Sequence, residues 1–133
     1  MCKEDYVSLE TAKLLKEKGF DAECDYEYGV PVVEQGYVLQ RVYKPIKNSE
    51  LIDGAYAAPT LQMAMKWLRK VHHYYIQIML DNWVGIHVGY FVIIMKTDSD
   101  FELQLYDEEE QVFYETPEEA CEAAMKYSLE NLI

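Results

Sequence analysis

YYIQIMLDNWVGIHVGYFVIIMKTDSDFELQLY, residues 74–106, decides the fold class. It divides at two turn signals, 81–85 (DNWVG) and 97–100 (TDSD), into three runs at 74–80, 86–96 and 101–106. All three are rich in aromatic and aliphatic residues. In the last run Phe101, Leu103 and Leu105 alternate with Glu102, Gln104 and Tyr106, so one face is buried and one is wet. The middle run is apolar on both faces from Tyr90 to Met95, which suits a central strand. Connections this short favour antiparallel neighbours, and the stretch reads as a meander. A further short strand is expected at 111–114, reached through the acidic turn 107–110.

Three helices flank this meander in sequence. The C-terminal one has Thr116 as cap, Pro117 at the first helical position and Glu119 three after the cap, the pattern of a capping box. Cys121, Ala124, Met125, Ser128, Leu129 and Leu132 then fall on one stripe, with Glu118, Glu122, Lys126 and Glu130 off it. A second helix over 61–71 is capped by Thr60 and carries Leu61, Ala64, Met65, Leu68 and Val71 at helical spacing; Lys66, Arg69 and Lys70 form its polar edge. The first helix starts after Ser8 and ends at Gly19, where a left-handed residue is wanted, with Phe20 placed to fold back on Leu15. Residues 21–58 are broken by Gly29, Pro31, Gly36, Pro45 and Gly54. They promise only a strand at 37–43, a loop at 44–54 and the most mobile part of the chain. The expected architecture is one α+β domain over 1–133: three helices packed against a mainly antiparallel sheet of about four to five strands.

Composition narrows the partners. The 133 residues carry 24 acidic and 12 basic side chains, a net charge of −12. Phosphate backbones and anionic membrane surfaces both demand lysine and arginine, so neither nucleic acid nor membrane is an expected partner. No apolar run approaches a membrane span, and the N-terminal segment MCKEDYVSLE has no apolar core of a secretory signal. The three cysteines, Cys2, Cys24 and Cys121, are widely spaced and include no CxxC pair. They imply reduced thiols and a cytoplasmic setting.

The segments YVSLETAKLLKEKGFDAECDYEY (6–28), YAAPTLQMAMKWLRKVH (56–72) and YETPEEACEAAMKYSLENLI (114–133) occur as an ordered set. The chain thereby resembles, over nearly half its length, a family of small uncharacterised proteins encoded by gut anaerobic bacteria and their phages or prophages. The resemblance implies a bacterial cytosolic setting and a phage-linked role. It carries no site residue with it.

Candidate chemistry is sparse. His72 and His73 are adjacent and His87 lies on a strand, without the paired spacing of a zinc site, so no metal and no cofactor is expected. Cys121 belongs to an apolar stripe, and Cys24 sits between Glu23 and Asp25, whose charges oppose a thiolate. No catalytic residue is assigned. Tyrosine is more suggestive, with twelve in the chain. Tyr26, Tyr28, Tyr37, Tyr43 and Tyr56 fall in the middle region, and tyrosine favours interfaces because it joins apolar area to a hydrogen-bonding tip.

Tyr26, Tyr28, Tyr43 and Tyr56, with Arg69, form the candidate interaction surface. The function expected is a non-enzymatic, phage-associated module that binds another protein; self-association is compatible with it. The acidity allows such a module to imitate the charge of nucleic acid if its carboxylates gather on one face. The alternative is a small-ligand-binding protein or enzyme with Trp67, Arg69 and Tyr56 around a pocket. A third reading, nucleic-acid binding along the Lys66, Arg69 and Lys70 edge, runs against the net charge.

Overall fold

The computed structural model describes residues 5–32, 36–83, 86–107, 110–111 and 113–133. Chain order is α1 (Leu9–Glu17), β1 (Cys24–Tyr28), β2 (Leu39–Ile46), β3 (Tyr56–Ala57), α2 (Leu61–His72), β4 (Tyr74–Trp83), β5 (Ile86–Lys96), β6 (Glu102–Gln104), β7 (Tyr106–Asp107), β8 (Glu110–Gln111) and α3 (Pro117–Asn131). The fold is α+β. Its six principal strands are antiparallel and form two three-stranded sheets, ordered β2-β1-β3 and β4-β5-β6, while β7 and β8 make a short separate pair.

One larger sheet was the expectation. It divides because α2 stands between β3 and β4 in sequence, and each set of strands pairs with its immediate neighbours. The second sheet is the meander expected within residues 74–106, with its last strand shortened to Glu102–Gln104 because Tyr106 pairs in β7 with β8 instead. β4 and β5 pair along their whole length, from Tyr74 opposite Lys96 to Trp83 opposite Ile86. Ile76, Val92 and Ile94 face the core, and α2 and α3 cover that face.

The middle region holds more structure than its glycines and prolines suggest. Residues 21–58 contribute the whole first sheet, and β2 runs on to Ile46 through Pro45. A bulge makes this possible: Cys24 opposes Ile46 while Tyr26 opposes Arg41, so residues 42–45 face the single residue Asp25. A proline that cannot donate to a ladder is tolerated at such a bulge. Beyond it, a 3-10 turn over Asn48–Glu50 buries Asn48. Its Nδ2 donates to the Phe20 carbonyl at 2.9 Å and its Oδ1 accepts from the Ala57 N–H at 2.9 Å. One side chain thus ties the end of α1 to β3.

The helix ends follow local chemistry. Ser8 Oγ accepts from Thr11 N–H and Thr60 Oγ1 from Met63 N–H. Thr116 Oγ1 accepts from Glu119 N–H; Glu119 Oε2 reaches back past the cap to Glu115 N–H. At the end of α1, Gly19 has φ +93°, Phe20 N–H bonds Leu15 O and Gly19 N–H bonds Lys16 O. This is the Schellman pattern that Gly19 and Phe20 imply. α2 ends at His72, one residue later than its apolar stripe suggests, and is capped by His73 in the left-handed region at φ 64°. That residue lets the chain reverse directly into β4.

α3 packs against α1, α2, β4 and β5. Ala120, Cys121, Ala124, Met125, Ser128 and Leu129 are buried along its stripe. α1 packs on β3 and α3, so the α1–α3 contact joins the first sheet to the second. The segment before α3 is held by Tyr114, whose N–H and C=O both bond Tyr90, at 2.7 and 2.8 Å. This approach needs Gly89. Its φ is +124°, and a Cβ there would lie 2.8 Å from the Tyr114 carbonyl oxygen.

Two sets of variants test these constraints by chemical denaturation. Gly19→Ala meets open space, so it should cost only the backbone term, about 1 kcal/mol. Gly89→Ala adds a backbone clash and should cost more, roughly 2–4 kcal/mol; equal costs would contradict the close approach at Tyr114. Asn48→Ala strands a buried carbonyl and a buried N–H, for which about 2–4 kcal/mol is expected. A loss below about 1 kcal/mol would mean that Asn48 does not anchor the turn.

Candidate functional site

The junction of α1 and α3 leaves a groove of about 530 Å³ on the surface. Its walls bring together residues from three parts of the chain: Tyr6, Tyr28 and Tyr114 supply aromatic faces, and Glu10, Glu118, Glu119 and Glu122 supply carboxylates. Each is placed by a local cause. Glu10 lies in the first turn of α1 beside the N-cap Ser8. Glu118, Glu119 and Glu122 lie in the first turns of α3, where carboxylates complement the positive end of the helix dipole. Tyr28 ends β1 and points its hydroxyl at the Val7 carbonyl, 2.7 Å away.

Polar bonds stitch the groove floor. Glu122 Oε1 accepts from Ser8 N–H at 2.9 Å, so α3 helps cap α1. Lys126 Nζ donates to Glu10 Oε2 at 2.6 Å and stands 4.0 Å from Glu130. That hydrogen bond holds the Glu10 carboxyl below its ordinary pKa and raises the Lys126 ammonium. Burial, then the charge of Glu122, raises the Tyr28 phenol, and burial alone raises Tyr114. Burial, then Tyr26, raises Tyr6. All three tyrosines therefore stay neutral near pH 7, and the Tyr28 hydroxyl is already engaged with the Val7 carbonyl. Glu118 forms no ion pair among the described residues.

The residues named from sequence are dispersed. Tyr28 lines this groove. Tyr26 is half-buried with its ring 4.6 Å from that of Tyr6. Tyr56 lies under the ammonium groups of Lys13 and Lys16, at 5.8 and 5.4 Å, and 6.0 Å from the Tyr37 ring. Tyr37 in turn donates to the Gly54 carbonyl at 2.8 Å, so this pair fastens the loop before β3 to α1. Tyr43 projects fully into solvent from the β2 bulge. Arg69 is exposed on α2, in a different cleft beside β4.

Trp67, Arg69 and Tyr56 do not share a cleft: Trp67 packs edge-on against Phe20 and His72, at 5.6 and 4.8 Å. Tyr6, Tyr114, Glu10, Glu118 and Glu122 were not singled out by sequence reading. The one available signal was the acidic first turns of α1 and α3, which read equally well as solvated helix faces.

Neither described cysteine is suited to nucleophilic chemistry. Burial, with a smaller contribution from Asp25, pushes the Cys24 thiol up to about 12; burial, then Glu122 and Glu118, pushes Cys121 to about 12. His72 is held below the ordinary histidine pKa by burial, then by His73 and Lys18. His87 has its side chain outside the described set, as Cys2 is wholly. Among the described residues no three His, Cys, Asp or Glu side chains converge as metal ligands, and no helix is long and apolar enough to cross a membrane.

The thiols give a direct check. With Cys2 replaced by serine, a disulfide reagent at pH 7 should modify Cys24 and Cys121 only as fast as the protein opens, with the rate rising on added denaturant. Rapid labelling in buffer would show that one of them is accessible and ionised.

No protein-family model, curated protein or solved structure matches the chain.

Proposed function

We propose that this protein is a non-enzymatic binding module that engages a basic segment of another protein in the α1–α3 groove. One observation carries the reading: four glutamates and three tyrosines from separate parts of the sequence meet around one open groove. Carboxylates pair with lysine or arginine through charge-assisted hydrogen bonds, while neutral tyrosine faces accept the aliphatic stem or the guanidinium plane. Lys126 already makes such a pair with Glu10 inside the molecule. Glu118, with no ion pair among the described residues, is the carboxylate open to an incoming cation.

The net charge of −12 extends the same preference beyond the groove and speeds encounter with a basic partner. Charge imitation of nucleic acid on a basic protein surface is the mode of action that fits. A bacterial, phage-linked setting belongs to this proposal and rests on the resemblance of residues 6–28, 56–72 and 114–133 to the phage-associated family.

Titration with a short labelled oligo-arginine peptide, followed by fluorescence anisotropy, tests the reading. Glu10→Gln and Glu118→Gln are both surface changes. Each should weaken binding by about threefold and together by about tenfold. Affinity should fall as salt rises from about 0.05 to 0.5 M. Affinity indifferent to both substitutions would remove the groove from the proposal.

A further inference from the structure

The second sheet ends on a strand whose outer edge is open. β4 is the terminal strand of the order β4-β5-β6. Its register shows which backbone groups face outward. On β5, Tyr90 bonds Tyr114 and Lys96 N–H bonds Phe101 O, both on the side away from β4. In an antiparallel ladder a residue's N–H and C=O point to the same side, and the side alternates along the strand. Tyr90, Val92, Ile94 and Lys96 therefore face away from β4, and their cross-strand partners Leu80, Ile78, Ile76 and Tyr74 face away from β5. Among the described residues nothing bonds these outward backbone groups.

A trench runs beside this edge. One cleft of about 520 Å³ is lined by Gln62, Met65, Lys66, Arg69, Tyr75 and Ile76; a second of about 430 Å³ shares Gln62 and Met65, continues to Ile78 and is lined at that end by Asp5 and Glu118. The helix wall is α2 and the strand wall is β4. The run 74–80 contains no lysine, arginine, aspartate, glutamate or proline. Those are the residues that natural edges use against strand addition. In a chain of net charge −12, Lys66 and Arg69 are exposed and form no ion pair among the described residues. No carboxylate lines their cleft.

We infer that this trench is a strand-addition site for an extended segment of another protein that carries acidic side chains at its Lys66–Arg69 end. The segment adds as a fourth strand on β4, its backbone bonding Tyr74, Ile76, Ile78 and Leu80. Alternate side chains lie along α2 over Met65, and an acidic one meets Lys66 and Arg69. Backbone bonds supply affinity and the two cations supply selectivity, as in other peptide sites formed by a sheet edge and a neighbouring helix. Only the Lys66–Arg69 end has a charge preference opposite to that of the α1–α3 groove; at the Ile78 end Asp5 and Glu118 exclude a second acidic side chain.

The probe is a labelled peptide of about eight residues alternating valine and threonine, with glutamates confined to one end, read by fluorescence anisotropy. Saturable binding is expected, weakened at least about tenfold by Lys66→Glu with Arg69→Glu. Two peptides N-methylated on alternate amides provide a test that leaves the protein untouched. One register should lose binding by at least about tenfold and the other should keep it, because only alternate amides face the edge. Absence of saturable binding, equal effects of the two methylated peptides, or indifference to charge reversal would each overturn the site. Dimerisation through β4 in sedimentation and cross-linking at rising protein concentration would do the same, by assigning the edge to a second copy.

Discussion

The packing of α3 against its four neighbours is the interaction on which the rest of this molecule depends. Neither sheet has enough area to bury a core by itself: one pairs five-, eight- and two-residue strands, the other ends on a three-residue strand. α3 covers β4 and β5, touches α2, and reaches α1, which carries the first sheet with it. Its stripe suits that task because Ala120, Ala124 and Ser128 are small and allow close approach, while Met125 and Leu129 fill the space between elements. The polar bonds at the same junction, Ser8 to Glu122 and Glu10 to Lys126, orient α1 on α3 at the rim of that apolar contact.

Both candidate binding surfaces follow from this construction. Elements that meet only along narrow contacts leave clefts at their seams, and side chains from distant parts of the chain line them. The α1–α3 seam collects carboxylates because two helix N-terminal turns converge there, and each favours acidic residues for its own dipole. The α2–β4 seam collects cations because the polar edge of α2 is basic near its C-terminal end, where the dipole has the opposite sign. Helix polarity therefore segregates charge on a strongly acidic molecule, with a basic island beside an open strand and an acidic groove beside the helix junction.

Much of the fold was legible in residues with strong local preferences. Ser8, Thr60 and Thr116 mark helix starts, Gly19 and Phe20 mark a helix end, and the alternation from Phe101 to Tyr106 marks a strand of the meander. These signals act over a few residues and survive whatever the rest of the chain does. The first sheet was hidden because its stabilising interactions are not local: Asn48 looks like a loop residue until Phe20 and Ala57 are brought to either side of it. Pro45 likewise argues against a strand until the bulge opposite Asp25 accommodates it. The groove was hidden for a similar reason. Glu10, Glu118 and Glu122 each have an adequate explanation as exposed helix residues, and the tyrosines that face them come from other segments.

The sequence alone determined the helix boundaries to within about a residue, the antiparallel meander, the inert character of the apolar-stripe cysteine and the acidic balance. Each depends on hydrogen bonding, side-chain periodicity or charge that is already present in a short stretch. Only the tertiary structure decided that the strands divide into two sheets, that Tyr56 lies beneath two lysines while Tyr43 stands free, and that carboxylates and tyrosines share one groove. Those outcomes depend on which surfaces are buried against which. Burial is settled by the whole chain at once, since apolar area leaves water only when a partner surface from elsewhere in the sequence arrives to cover it.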